Sequence, residues 1–155
     1  MLRFAFKLSN DKEMAKDACQ DVWLKSAKTL YKLRDPRAFK SWMYRTVRWR
    51  TLDLLRRHKT QKTSLDNEVS QDELENFSIH TDFAADINNG NSILNHGISA
   101  LPPLERQVIH LFYLDDMSVV EVSLILEIPT GTVKSRLNRA RQLLKQKLEN
   151  NDYEH

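Results

Sequence analysis

Ser118-Val-Val-Glu-Val-Ser-Leu-Ile-Leu-Glu-Ile-Pro-Thr-Gly-Thr-Val-Lys-Ser-Arg-Leu-Asn-Arg-Ala-Arg-Gln-Leu-Leu144 reads as two short helices around a tight turn, the second of them basic. Ser118 and Glu121 have the spacing of a reciprocal capping box, in which hydroxyl and carboxylate each satisfy an orphan backbone amide, so a helix starts there. Pro129 lacks the amide hydrogen a helix interior needs and turns the preceding residue out of the helical region, which puts the turn at Glu127, Ile128 and Pro129. Thr130 then reads as the N-cap of the next helix. In that helix Val133, Leu137, Ala140, Leu144 and Leu148 recur at spacings of four and three, an apolar stripe that must pack on neighbouring helices. The opposite face carries Thr132, Lys134, Ser135, Arg136, Asn138, Arg139, Arg141 and Lys145, and no acidic residue falls between Thr130 and Leu148. Cations that hold phosphates, with Ser, Asn and Arg among them to reach base edges, suit a helix entering a DNA major groove. A merely solvated basic face would not bring capping box, proline turn and acid-free helix together at helix-turn-helix spacing.

The 155 residues leave room for one domain or two small helical ones, and with three glycines and four prolines there are few turns for a sheet, so an all-α chain is expected. The formal charge of +3 conceals a strong division. Residues 1–63 hold 17 Lys and Arg against 6 Asp and Glu, a net +11; residues 64–105 hold none against 8, a net −8; residues 106–155 hold 7 of each. A basic block and a locally basic last helix on either side of an acidic middle imply polyanion contact at both ends. The single cysteine, Cys19, excludes an intramolecular disulfide and a multi-cysteine metal site, and the histidines form no ligand pair at helical spacing. No cofactor or metal is expected. Arg3 and Lys7 interrupt the apolar start, so neither a signal peptide nor a membrane span is expected, and a cytoplasmic protein is.

In chain order, a helix ending near Ser9 is followed, after an Asn10-Asp11 break, by one from about Lys12 to Leu33. Its apolar rhythm runs through Ala15, Ala18, Val22, the Trp23 and Leu24 pair, Ala27 and Leu30, with Asp17, Gln20 and Asp21 on the remaining surface. Asp35-Pro36 makes a turn and opens a long helix from Phe39 to about His58. There Phe39, Met43, Val47 and Leu54 form the expected buried stripe, leaving Tyr44, Arg45, Arg48, Trp49, Arg56 and Arg57 outside. Cations interleaved with aromatics suit unpaired nucleic acid, whose bases expose a stacking face only outside the duplex. Trp42 reads as core; Trp49, between Arg48 and Arg50, reads equally as core or as a surface contact. Residues 63–98 have no sustained period and no cation after Lys62, which reads as a flexible acidic linker too polar for a core of its own. Leu101-Pro-Pro103 opens a supporting helix with Leu104, Val108, Leu111 and Phe112 on one face, and the tail after Leu148 reads as frayed.

Leu101-Pro-Pro-Leu-Glu-Arg-Gln-Val-Ile109 together with Ile128-Pro-Thr-Gly-Thr-Val-Lys-Ser-Arg-Leu-Asn-Arg-Ala-Arg141 resembles region 4 of bacterial RNA polymerase sigma factors of the extracytoplasmic-function (ECF) group. Asp17-Ala-Cys-Gln-Asp-Val-Trp-Leu-Lys25, Phe39-Lys-Ser-Trp-Met-Tyr-Arg45 and Asp53-Leu-Leu-Arg-Arg57 resemble region 2 of the same group. The resemblance implies a region 2 domain over 1–62, a linker over 63–98 running through the polymerase interior, and a region 4 domain over 99–149. It also implies roles: core RNA polymerase, through its beta and beta-prime subunits, would be a partner, with region 2 on the clamp helices of the largest subunit and Asp17, Gln20 and Asp21 facing polymerase. Arg34, Arg37, Tyr44, Arg45, Arg48 and Trp49 would handle the minus-10 element, and Thr132, Lys134, Ser135, Arg136, Asn138 and Arg139 the minus-35 element. Promoter DNA and an anti-sigma factor are the other implied partners. Family members usually carry a further helix ahead of the one ending near Ser9, which implies a start either truncated or misplaced relative to them. Trp49 stands where Asn is common, and Glu127 where a glycine commonly closes the first helix of the pair, so a left-handed conformation is expected at Glu127.

The expectation is therefore a non-enzymatic ECF-type sigma factor. A stand-alone helix-turn-helix regulator is the alternative, but it has no need of a +11 N-terminal half. A nuclease would need clustered carboxylates for metal, and here the acids are dispersed or lie in the linker.

Overall fold

Asn10 and Asp11 make the first corner of the chain in the computed structural model, which describes residues 1–62 and 92–152. Asn10 takes a left-handed conformation, φ 55°, and its N–H donates to the Phe6 carbonyl, closing helix α1 (Leu2–Ser9). The Asp11 carboxylate then accepts from the Glu13 and Met14 amides at 2.9 and 3.0 Å and starts α2 (Lys12–Thr29). A 3-10 turn over Leu30–Lys32 finishes that segment, and Asp35, accepting from the Arg37 amide, caps a second one over Pro36–Ala38. Helix α3 (Phe39–Lys62) follows. Helices α1, α2 and α3 pack mutually, and the near-complete burial of Ala5, Ala15 and Ala18 shows how small side chains let them approach. Phe4, Val22, Met43 and Val47 fill the space between, each contributing about 1.5–3 kcal/mol by leaving water. Trp42 is partly buried and stacks on Phe39, as a core residue should.

The expected stripe on α2 holds only as far as Val22. Trp23 and Leu24 are 57% and 65% exposed, and Ala27 and Leu30 are exposed as well. Three consecutive apolar residues span most of a helical turn, so α1 and α3 cover one of them and leave the other two outside.

The second compact unit holds α4 (Ser92–Ser99), α5 (Pro103–Ile109), α6 (Val119–Leu126) as far as Ser123, and α7 (Thr130–Asp152), while residues 124–127 group with the first unit. Helix α4 lies inside the stretch read as linker: Ile98 is buried, and a Cβ on Gly97 would stand 3.3 Å from Leu144 Cδ2, so the glycine admits α7 closely. The polar composition of 86–96 hides this short packing face. The linker reading of residues 63–91 falls outside the described residues. After α5 the chain widens into a π turn, His110–Leu114, rather than continuing regularly through Phe112. The extra residue puts positions 108–111 all inside, where a regular helix would bury only some of them. His110, 1% exposed, sets Nε2 3.2 Å from Asp115 Oδ2 across that turn. Arg106 donates twice to the Leu101 carbonyl, at 3.3 and 2.9 Å, and ties the Pro102 corner to α5.

Ser118 and Glu121 form the reciprocal box: the Ser118 amide donates to Glu121 Oε2 at 2.7 Å and the Glu121 amide to Ser118 Oγ at 3.1 Å. Glu127 is left-handed, φ 56°, as its glycine-like position implies. The conformation costs a residue with a Cβ roughly 1–2 kcal/mol, partly offset by the extra freedom glycine has when unfolded. Glu127→Gly is therefore expected to stabilise a 92–152 fragment by up to about 1 kcal/mol in denaturant melts; a loss of stability would mean that the carboxylate is worth more than the strain. Thr130 is the first helical residue of α7 rather than its cap, because the carbonyl that Val133 N–H reaches, at 3.1 Å, is that of Pro129. The helix also continues past Leu148, the expected point of fraying.

Candidate nucleic-acid interface

The α6–α7 corner is tightened by Ser123, whose hydroxyl donates to the Ile128 carbonyl at 2.6 Å while the Ile128 amide donates to the Ser123 carbonyl. This fixes where α7 begins and hence which of its faces turns inward. Val133, Leu137 and Ala140 are at most 2% exposed, and α7 packs on α4 and α5 along that line. Lys134, Ser135, Asn138 and Arg139 are exposed on the other side, and Thr132 and Arg136 are half-buried at its edges. The residues expected to read the upstream element are thus all on one helix, on or beside its uncovered face.

The side chains on this face are not equivalent. Ser135 donates its hydroxyl to the Gly131 carbonyl at 3.0 Å, which leaves the oxygen's lone pairs to accept from a base or water. Arg139 Nε lies 3.4 Å from Glu105 Oε1, a carboxylate on α5. Arg141 donates to Tyr113 Oη and to the Leu137 carbonyl, both at 3.3 Å, and Lys145 lies 3.8 Å from Glu149. Lys134 and Arg136 have no ion pair among the described residues, which leaves their charge available to phosphates.

In the first unit, Tyr44, Arg45, Arg48 and Trp49 share one side of α3, at spacings of one and four. Trp49 is 58% exposed, so of its two readings the surface one holds. Tyr44, Arg45 and Arg48 are half-buried, and the Tyr44 hydroxyl accepts from the Met1 amino group at 2.9 Å. Arg34 and Arg37 are exposed in the turn before α3, and Arg37 Nε pairs with Asp35 at 3.2 Å. Arg37, donating from its guanidinium Nε and also from its backbone amide, holds the Asp35 carboxyl below the usual carboxylate range.

On α2, Asp17 and Gln20 are exposed with no polar partner among the described residues. Asp21 differs: Arg50 donates to it from α3 at 2.7 Å and also to Asp53 at 2.9 Å, with Arg57 3.2 Å from the same Asp53. Asp21 thereby joins α2 to α3, by a partner far along the chain and not by the neighbouring lysines. Both groups are part-exposed, so the pair contributes at most about 1 kcal/mol.

Family models for sigma-70 region 2 and sigma-70 region 4 match residues 1–61 and 93–144. The ECF RNA polymerase sigma-E factor of Escherichia coli K12 is 30% identical over 141 residues, covering 86% of this chain and 73% of that protein. The chain is a sigma-70 family member of the ECF group. The ECF sigma factor SigW of Bacillus subtilis is 29% identical over 156 residues, covering 94% of this chain and 81% of its own. The same fold occurs in Bartonella quintana RpoE, solved in complex with the anti-sigma factor NepR: TM-score 0.67 at 22% identity, over 96% of this chain and 89% of that one.

This sigma factor is accordingly a promoter-recognising transcription initiation factor. Among the described residues no helix is long and apolar enough to cross a membrane. Its α2 and the 3-10 turn after it present more than the three polar residues singled out by sequence: Trp23 and Leu24 on α2, and Leu30 and Tyr31 in the turn, the last 80% exposed, lie alongside Asp17 and Gln20. Their sequence signal is the run Val22-Trp23-Leu24, too wide for one buried stripe.

Proposed function

We propose that the first unit binds core RNA polymerase through α2 and opens the minus-10 element with α3 and the turn before it, while α7 reads the minus-35 element. Asp17, Gln20 and Asp21, with Trp23 and Leu24 beside them, meet the polymerase. Arg34, Arg37, Tyr44, Arg45, Arg48 and Trp49 engage the displaced strand, the exposed Trp49 indole offering a face for a flipped base in place of the amide contact an Asn would make. Thr132, Lys134, Ser135, Arg136, Asn138 and Arg139 engage the upstream duplex. The sigma factor works in the cytoplasm, the polymerase supplies the chemistry, and an anti-sigma protein, as NepR is for Bartonella quintana RpoE, holds it inactive.

The single observation that carries this reading is the acid-free face of α7 standing uncovered behind a capped, proline-closed turn. Run-off transcription with purified core polymerase tests it. Core plus this protein should yield transcript from a promoter that core alone ignores, whereas a stand-alone regulator would bind DNA without conferring initiation.

A further inference from the structure

Helix α7 carries no acid from Thr130 to Leu148, yet one of its exposed arginines has a carboxylate beside it, supplied by another helix. Glu105, on α5, is 6% exposed, while Arg139 is 69% exposed at its side chain, with Nε 3.4 Å from Glu105 Oε1. A carboxylate taken from water needs a partner, and Arg139 is the one ion pair Glu105 makes among the described residues. The pair is closest at Nε, the guanidinium nitrogen nearest the stem. A carboxylate at that end restricts how the guanidinium swings, while most of the side chain, 69% exposed, stays in solvent.

That geometry matters for a base-reading arginine. A guanine edge presents two acceptors that only a correctly oriented fork meets together, whereas a freely swinging arginine reaches phosphates on any sequence equally well. The neighbouring carboxylate also offsets the charge that would draw Arg139 to phosphate. Among the described residues, Lys134 and Arg136 on the same helix have no such anchor.

We propose that Glu105 is a positioning residue that sets base selectivity in the upstream element, by fixing Arg139 for a guanine and weakening its attraction to phosphate. This rests on the reading of α7 as the minus-35 helix.

The test uses holoenzyme assembled from the full chain and core polymerase, on a promoter library randomised across the upstream element. Arg139→Ala should erase the preference at one base pair. Glu105→Gln, nearly isosteric, should lower that same preference by several-fold up to about tenfold, without weakening binding to scrambled upstream sequence. The double variant should match Arg139→Ala alone. A purely structural Glu105 would alter melting temperature and leave the base preference as in wild type, which would overturn the proposal; so would a Glu105→Gln variant that loses preference at a base pair other than the one Arg139→Ala erases. If Arg139→Ala itself changes no preference, the upstream reading of this arginine fails and the proposal with it. Should Glu105→Gln not fold, Arg139→Lys decides: it keeps the charge but has neither Nε nor a fork, so retained wild-type preference would also refute the proposal.

Discussion

A chain carrying Trp23→Ala and Leu24→Ala should fold as the wild type does and fail to co-elute with core RNA polymerase. Both side chains are more than half exposed, so truncating them opens no cavity and should leave stability within about 0.5 kcal/mol. At an interface the same residues would be central anchors, and such truncations cost about 2 kcal/mol or more each, enough together to weaken a complex by roughly a thousandfold. Asp17→Ala with Gln20→Ala should weaken it less, because rim polar contacts are worth less than buried aromatic ones. Asp21 is best left intact in such tests, since Arg50 reaches it at 2.7 Å and its loss would loosen α2 from α3. Size-exclusion chromatography with core polymerase and far-ultraviolet circular dichroism give the two readouts. Full co-elution of the Trp23, Leu24 variant, with transcription intact, would make this face ordinary surface.

Lys134→Ala and Arg139→Ala should both reduce transcription from promoters that depend on the upstream element, but in distinguishable ways. Lys134, with no ion pair among the described residues, is expected to touch phosphate: its loss should weaken binding uniformly across sequences and reduce the salt slope by about 1. Arg139 is expected to touch a base: its loss should cost about 1–3 kcal/mol and relax selectivity at one position. Arg139→Ala also strips Glu105 of its ion-pair partner, so it should lower stability, in the range of about 1–3 kcal/mol before solvent screening of the exposed arginine reduces it. Lys134→Ala should leave stability unchanged. Footprinting and denaturant melts separate these effects, and upstream footprints unchanged in both variants would remove α7 from DNA recognition.

What the sequence determined by itself was local. Ser118 and Glu121, three residues apart, needed nothing distant to form their box, and Pro129 dictated the end of α6 because its ring and missing amide act within one turn. The left-handed Glu127 was expected from the family resemblance, which puts a glycine at that place, and the two faces of α7 were legible from a period of 3.6 with charges confined to one side. Tertiary structure decided everything that depends on which face a neighbour covers. Periodicity groups residues on a side of a helix, but it cannot say that α1 and α3 stop at Val22 and leave Trp23 and Leu24 outside. It cannot pair Asp21 with Arg50 or Glu105 with Arg139, because these partners lie on different helices and meet only once the cores have packed. The π turn at His110 belongs with them: positions 108–111 are all buried there, and local sequence period does not announce the widened turn.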